Sequence, residues 1–205
     1  WKQRWFPGET VITGIGQGYT LVTPLQLAQA TAILANKGVA MRPRLVSSIQ
    51  EARNGVITPN PAVVVDRVTL DPHHVEIVTQ GMVNVTLPGG TAASVGAGSP
   101  YAIAAKTGTA QVIGIKQNEK YNESKINERH LDHALFIAYA PADDPTIAVA
   151  VIVENGRHGG STAGPIARKI MDYYLLGKEP PPPVPAVDAA AVNAPEPAHE
   201  EELHD

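Results

Sequence analysis

The sequence predicts an α+β fold in which helices pack on an antiparallel sheet. Three observations carry that expectation. "HALFIAYAPADDPTIAVAVIVEN" sets two β-rich runs on either side of "PADDP", whose prolines and aspartates are turn formers, so residues 133–155 read as a hairpin. "TPLQLAQATAILANKG" reads as a helix, with Thr23 suited to cap it, Pro24 in its first position and Gly38 beyond its end after Lys37. "GPIARKIMDYYLLG" reads as a closing helix, with Pro165 in its first turn and Gly177 past its last. A hairpin interspersed with helices places the chain in the layered class of an antiparallel sheet with packed helices.

The remaining elements follow in order. Residues 1–10 are aromatic, basic and turn-forming, with Pro7-Gly8 as a breaker, and "TVITGIGQGY" suggests a short strand followed by Gly14, Gly16 and Gly18. In the first helix Leu25, Ala28, Ala32, Leu34 and Ala35 recur at helical spacing, which predicts its buried stripe. "VAMRPRLVSSIQ" and "GVITPNPAVVVDRVTL" read as extended pieces broken by turns. "DPHHVEIVTQGMVNVT" reads as a second helix capped by Asp71. After the Gly89-Gly90 loop, "AIAAKTGTAQVIG" (102–114) reads as a strand, and "KQNEKYNESKINERHLD" as a long exposed loop with some helix. From Lys178 the chain is rich in Pro, Ala and Glu and cannot bury enough apolar surface to offset its ordering entropy. The expected organisation is therefore one domain over 1–177 and a disordered acidic tail over 178–205.

Composition narrows the function. The 205 residues are 43% apolar and 18% charged, a globular balance. The formal charge is -4, but seven of the 20 acidic residues lie beyond Lys178, leaving 13 against all 16 Lys and Arg, or about +3. That excess is too small and scattered to suggest nucleic acid. Without cysteine, thiol catalysis, thiolate zinc sites and disulfides are excluded. No run of about 18 apolar residues is present, so no membrane-spanning helix is expected. The opening "WKQRWFPGE" lacks a methionine and reads as a cut end, so the chain is expected to be a piece of a longer protein.

Several motifs invite a functional reading and fail on detail. "GIGQGY" resembles a dinucleotide fingerprint, but Tyr19 stands where glycine is required and no acidic residue occurs from Leu21 to Gln50. Its glycines read as a backbone turn. His130 and His133 flank Asp132, and His73-His74 are adjacent, but neither pair has the companions that a metal needs, so no metal is expected. Ser161 near His158 in "RHGGSTAGP" reads as a helix lead-in, with Ser161 or Thr162 as an ordinary cap.

"AAKTGTAQV" is different. A lone lysine on a strand usually faces solvent, but Lys106 is followed by Thr107, Gly108 and Thr109. In a regular strand Lys106 and Gly108 point one way and the two threonines the other, so a twist or bulge near Gly108 is expected to bring lysine and threonine to one edge. Such an edge offers a cation, hydroxyls and unpaired N–H groups, which suit a substrate carboxylate and a developing oxyanion. Gly108 leaves room for a ligand or another element to approach the backbone.

"KTGT" on a strand resembles the third motif of the penicillin-reactive serine acyl-transferases, beside S-x-x-K and S-x-N. With "GIGQGYTLVTPLQLAQATAILANKG" before it and "DHALFIAYAP" and "AVAVIVENG" after it, residues 1–177 are similar to the class B penicillin-binding proteins. The "KYNESKINERHLDHALFIAYAP" segment looks most like the elongation transpeptidases of Gram-negative rods. The resemblance implies a penicillin-binding fold, present in part, and a D,D-transpeptidase that acylates a serine with peptidoglycan stem peptides ending in D-Ala-D-Ala and is inhibited by β-lactams. It implies that Lys106 supplies positive potential and assists proton traffic, that Thr107 and Thr109 hold the ligand carboxylate beside Gly108, and that the Thr109 N–H is one oxyanion donor. It implies no cofactor, a glycosyltransferase partner of the elongation complex, and a place on the periplasmic face of the inner membrane, anchored by a segment outside these residues.

No lysine here has a serine three positions earlier, and S-x-N is also absent. The nucleophile, its base and the second motif are therefore expected in the remaining N-terminal part of the same protein, and this chain alone is expected to be inactive. Two other readings stay open: a non-catalytic penicillin-binding-like scaffold of the elongation machinery, and a serine β-lactamase. Intact Lys106, Thr107 and Thr109 favour the enzyme over the scaffold. The extended similarity around residues 24–38 argues against the β-lactamase.

Overall fold

The structure, a computed structural model, describes residues 4–113 and 126–179. Its centre is a three-stranded antiparallel sheet of β5 (Ala104–Ala110), β6 (His133–Ala140) and β7 (Ile147–Val153), in that spatial order. The expected hairpin is β6–β7, paired from Ala134 opposite Val153 to Ala140 opposite Ile147. Before the sheet come α1 (Pro7–Gly14), α2 (Pro24–Ala35), β1 (Val39–Met41), β2 (Ser48–Gln50), β3 (Ile57–Pro59), β4 (Val64–Arg67), α3 (Pro72–Asn84) and the single turn α4 (Ala93–Gly96). The extended pieces form two small antiparallel pairs, β1 with β4 and β2 with β3. After β7, a π-helical turn (Gly159–Ala163) leads into α5 (Gly164–Leu176).

Helix ends follow the capping chemistry of the sequence. Thr23 accepts the Gln26 N–H at 3.2 Å while the Gln26 side chain accepts the Thr23 N–H at 2.8 Å, a reciprocal cap. Asp71 accepts the N–H of His73 at 2.8 Å, and Gly177 closes α5 at φ 65°. One expectation fails here: residues 7–14 are helical, so "TVITG" is no strand. Pro7 has the φ that a first helical position needs and lacks an N–H that would go unpaired there. Glu9 then reaches back to accept the Phe6 N–H at 2.7 Å. The proline read as a breaker is a starter.

The sheet alternation sorts the core. Ala105, Phe136, Ala134 and Ala138 face Val95, Ala163, Ala167 and Met171, so α4, the π turn and α5 cover one side. Ala104 and Tyr139 face Met82, with Leu34, Ala35 and Val83 against them, so α2 and α3 cover the other. The Tyr139 hydroxyl lies 2.9 Å from Thr79 Oγ1, which satisfies a phenol that is 1% exposed. The predicted stripe on α2 needs correction: Leu25 and Ala32 are exposed, and Thr31 is the buried residue. Its hydroxyl donates to the Leu27 carbonyl at 2.8 Å, so a polar residue can occupy the inner face. Neither Ser161 nor Thr162 caps α5; both lie inside the π turn, and Ala163 precedes the helix. The proposed loop falls outside the described residues over 114–125, with a 3₁₀ turn at Glu128–His130 after it; the tail lies outside from residue 180.

A polar clamp fastens α5 to the segment that enters β5. Arg168 Nε donates to Asp172 Oδ1 at 2.8 Å, Arg168 Nη1 donates to the Val95 carbonyl at 2.6 Å, and the Tyr101 hydroxyl donates to the same Asp172 oxygen at 2.6 Å. Burial pushes the Asp172 carboxyl up, but the hydrogen bonds from Tyr101 and Arg168 and the charges of Arg168 and Lys178 outweigh it, holding it below the usual carboxylate range. Burial, then the Asp172 contact, push the Tyr101 phenol well above its ordinary value. A folded-state value below the unfolded one adds stability that is present above the unfolded pKa and is lost as pH falls through the folded pKa. Asp172→Asn is expected to cost about 1–2 kcal/mol at neutral pH. In thermal melts across pH, the gap from the parent should shrink under acid conditions below the usual carboxylate range; a gap of constant size would contradict the clamp.

Candidate active site at the free edge of the sheet

The site is built on β5, whose residues run from buried to open. Ala104 and Ala105 are fully buried, Lys106 and Thr109 are exposed, and Thr107 and Gly108 are half-buried. The entry to the strand is fixed from below by Thr86, whose hydroxyl donates to the Ile103 carbonyl at 2.9 Å. From there β5 pairs with β6 without a break in register, Lys106 opposite Ile137, Thr107 opposite Phe136, Gly108 opposite Leu135 and Thr109 opposite Ala134. The alternation read from the sequence therefore holds: Lys106 and Gly108 lie on the α2–α3 face, and both threonines on the α5 face. Of the twist or bulge expected near Gly108, the unbroken register excludes the bulge. The length of the lysine does its work instead, since Lys106 Nζ curls round to donate to the Thr107 carbonyl at 2.7 Å.

Among the described residues β5 has β6 as its sole strand neighbour, so its other side is an open edge. The Thr107 carbonyl accepts from Lys106, and the Thr109 carbonyl accepts from Gln17 Nε2 at 2.6 Å. Carbonyls engaged by side chains in this way lie on the side away from β6. In a strand the N–H and C=O of one residue point the same way, so the amides of Thr107 and Thr109 face the open edge too. The edge thus presents an ammonium and two outward peptide units, with the threonine side chains beside it on the α5 face. Among the described residues Lys106 has no carboxylate partner, and its polar contact is the Thr107 carbonyl.

Behind the edge sits the π turn, and its glycines set how closely it approaches. A Cβ on Gly159 would collide with the Leu135 carbonyl and lie 2.8 Å from the Gly108 carbonyl; one on Gly160 would lie 2.7 Å from the Thr91 carbonyl and 3.4 Å from Thr107 Cγ2. The approach to the strand backbone foreseen at Gly108 is thus made, on this side, by the chain's own Gly159–Gly160 segment. This turn and Gln17 are the two parts of the arrangement that sequence reasoning missed. The paired glycines before Pro165 were a usable signal, because two adjacent residues without side chains often mark a close backbone contact.

The other sequence candidates do not converge on this edge. The "GIGQGY" glycines form the backbone turn expected, with Gly16 at φ 80° and Gly18 at φ 89°. His133 Nδ1 accepts the Asn155 N–H at 2.9 Å, and His73 and His74 lie in the first turn of α3. Among the described residues no group of three or more His, Asp or Glu could hold a metal ion. Ser161 lies in the π turn and is exposed.

An antiparallel sheet covered by helices on both faces, with Lys-Thr-Gly-Thr along an open edge, is the arrangement that the resemblance to penicillin-reactive acyl-transferases implies. The chain belongs to that family: the penicillin-binding protein transpeptidase domain matches residues 1–172. It is 44% identical over 188 residues to the peptidoglycan D,D-transpeptidase MrdA of Haemophilus influenzae, a match covering 88% of this chain and 28% of that protein. It superposes on the crystal structure of Pseudomonas aeruginosa PBP2 in complex with WCK 5153 with a TM-score of 0.68 at 46% identity, over 85% of this chain and 34% of that one. Penicillin-binding protein A of Mycobacterium tuberculosis, solved as a ceftriaxone acyl-enzyme complex, matches with a TM-score of 0.63 at 34% identity, over 80% of this chain and 35% of that one. The chain therefore spans about a third of the length of the relatives it matches.

The closeness of the π turn to β5 gives a direct test. Gly159→Ala should lower stability by about 1–3 kcal/mol, the usual cost of forcing a methyl into a packed site. It should also accelerate amide hydrogen exchange along β5. Unchanged melting and exchange would mean that the turn does not brace the strand.

Proposed function

We propose that this chain forms one wall of the acyl-transfer site of a peptidoglycan D,D-transpeptidase of cell-wall elongation. The observation that carries this reading is the edge of β5 left open among the described residues, where Lys106 Nζ donates to the outward Thr107 carbonyl and the Thr109 peptide also faces out. An extended stem peptide ending in D-Ala-D-Ala pairs with that edge as an added strand. Its terminal carboxylate is held by the Thr107 and Thr109 hydroxyls and the positive potential of Lys106. The Thr109 N–H donates to the carbonyl oxygen of the penultimate D-Ala, where negative charge develops.

The nucleophile comes from outside these residues, since neither S-x-x-K nor S-x-N occurs in them. A serine hydroxyl attacks the penultimate D-Ala carbonyl carbon, its proton passing to a nearby base. The C–N bond to the terminal D-Ala breaks, and that amine leaves after taking a proton. An amine of a neighbouring stem peptide then attacks the ester, forming the cross-link and restoring the serine. A β-lactam follows the first half of this path: its ring amide opens and the acyl group stays on the serine. Lys106 supports the proton movements through its positive field.

Residues 1–177 are, in this reading, the C-terminal portion of a transpeptidase domain, and 178–205 a tail outside it. The remaining portion of the same domain covers apolar surface open here, including Ile166, Ile170 and Tyr173 along α5 and Trp5, Phe6, Val11 and Ile15 around α1. The whole protein acts at the periplasmic face of the inner membrane of a Gram-negative bacterium, beside a glycosyltransferase of the elongation complex. The similarity to the peptidoglycan D,D-transpeptidase MrdA of Haemophilus influenzae supports the transpeptidase reading. Retention of Lys106, Thr107 and Thr109 speaks against a scaffold that has lost its chemistry.

In the full-length protein that carries this chain, Lys106→Ala should slow acylation by labelled penicillin by about 100-fold or more while leaving the melting temperature close to that of the parent. The 205-residue chain alone should take no label. Equal acylation in mutant and parent would make Lys106 a solvated strand residue, and a covalent adduct on the isolated chain would place the nucleophile within it.

A further inference from the structure

Between Val11 and Thr20 one side chain is withdrawn from solvent, and it is a polar one. Gln17 is half-buried, while Val11, Ile12, Ile15 and Tyr19 around it are exposed. Burial of apolar surface does not account for that sorting, but the contact of Gln17 does. Its Nε2 donates to the Thr109 carbonyl at 2.6 Å, joining segments 92 residues apart.

The turn is shaped for this reach. Gly16 at φ 80° and Gly18 at φ 89° flank Gln17 in conformations that favour glycine. The turn backbone is tied to the end of α1, Gly16 N donating to the Thr13 carbonyl at 2.9 Å and Gln17 N to the Ile12 carbonyl at 3.0 Å. A turn closed on its own helix leaves the glutamine side chain to cross to β5. Its target needs holding. Thr109 follows Gly108, the most permissive residue of the strand, lies one residue from the end of β5, and has no strand on its outer side among the described residues.

We propose that Gln17 is a positioning residue of the acyl-transfer site: by holding the Thr109 carbonyl it keeps residue 109 flat in the strand and its N–H aimed at the ligand oxygen. The inference rests on the reading of Lys106–Thr109 as that site. A carbonyl has two lone pairs, so Gln17 occupies one and leaves the other for an N–H of an extended ligand. Gln17 therefore orients the edge without blocking it. Because the Thr109 N–H matters most when charge develops on the ligand oxygen, loss of Gln17 slows the chemical step more than it weakens the preceding encounter.

The test uses the full-length protein that carries this chain and stopped-flow acylation by a fluorescent penicillin, which separates the noncovalent Kd from the first-order acylation constant. Gln17→Leu removes the amide without adding charge; Gln17→Met keeps the reach and packing without hydrogen bonding. Both should lower the acylation constant about tenfold with Kd changed less than about twofold, the scale of one lost hydrogen bond expressed in the transition state. An unchanged acylation constant in both variants, with Lys106→Ala strongly impaired, overturns the role of Gln17 and leaves the site standing. Faster acylation would mean that Gln17 obstructs the carbonyl, and a raised Kd with an unchanged constant would place it in binding alone; either overturns the proposal. Normal acylation by Lys106→Ala would instead bring down the reading of the site itself.

Discussion

The pairing of β5 with β6, its sole strand neighbour among the described residues, is the constraint on which the rest of the arrangement depends. Seven residue pairs, from Ala104 opposite Tyr139 to Ala110 opposite His133, fix the strand without a bulge. That register puts Ala105 and Thr107 over the Phe136 side of the core and sends Lys106 to the other face. A slip of one residue would reverse every one of these assignments and place the lysine against Phe136 and Ala167, where an unpaired charge is costly. Among the described residues the same pairing leaves the outer side of β5 without a strand neighbour, the side on which the proposed extended ligand would add.

Around that strand, small residues allow close approach and polar residues fix orientation. Alanines at 104, 105, 134 and 138 let both faces of the sheet be covered tightly, and Gly159, Gly160 and Gly164 bring the start of α5 onto it. The Arg168–Asp172–Tyr101 clamp then ties α5 to the segment leading into β5. The strand is thus braced at its entry, along its back and, through Gln17, near its exit.

Much of this was legible from the residues. The α+β class, the β6–β7 hairpin, and α2, α3 and α5 each rest on local signals with a physical basis: Thr23 and Asp71 as caps, prolines in first helical positions, Gly177 past a helix end. The Lys106–Thr109 segment stood out because a cation between small residues has no packing purpose. What escaped was decided by contacts between distant residues. Pro7 could break or start a helix, and Glu9 reaching back to Phe6 decided which. Thr31 broke the apolar pattern of α2 because its hydroxyl is satisfied inside the helix. Gln17 looked like part of a failed nucleotide motif, and only the fold brings it to Thr109. Of the twist or bulge expected near Gly108 no bulge is present, and the lysine side chain is long enough to reach the Thr107 carbonyl without one.

The proposed function divides the labour: in it the chain supplies the anion-holding and oxyanion-donating wall, and the acylated serine belongs to the portion of the domain outside it. The most direct measurement is a crystal structure of the full-length protein acylated by a penicillin. The drug carboxylate should lie about 2.6–3.2 Å from a threonine hydroxyl of 107 or 109, and its ester carbonyl oxygen about 2.9 Å from the Thr109 nitrogen. A covalently bound drug whose carboxylate and carbonyl oxygen both lie away from the β5 edge, outside hydrogen-bonding reach of Lys106, Thr107 and Thr109, would contradict the account.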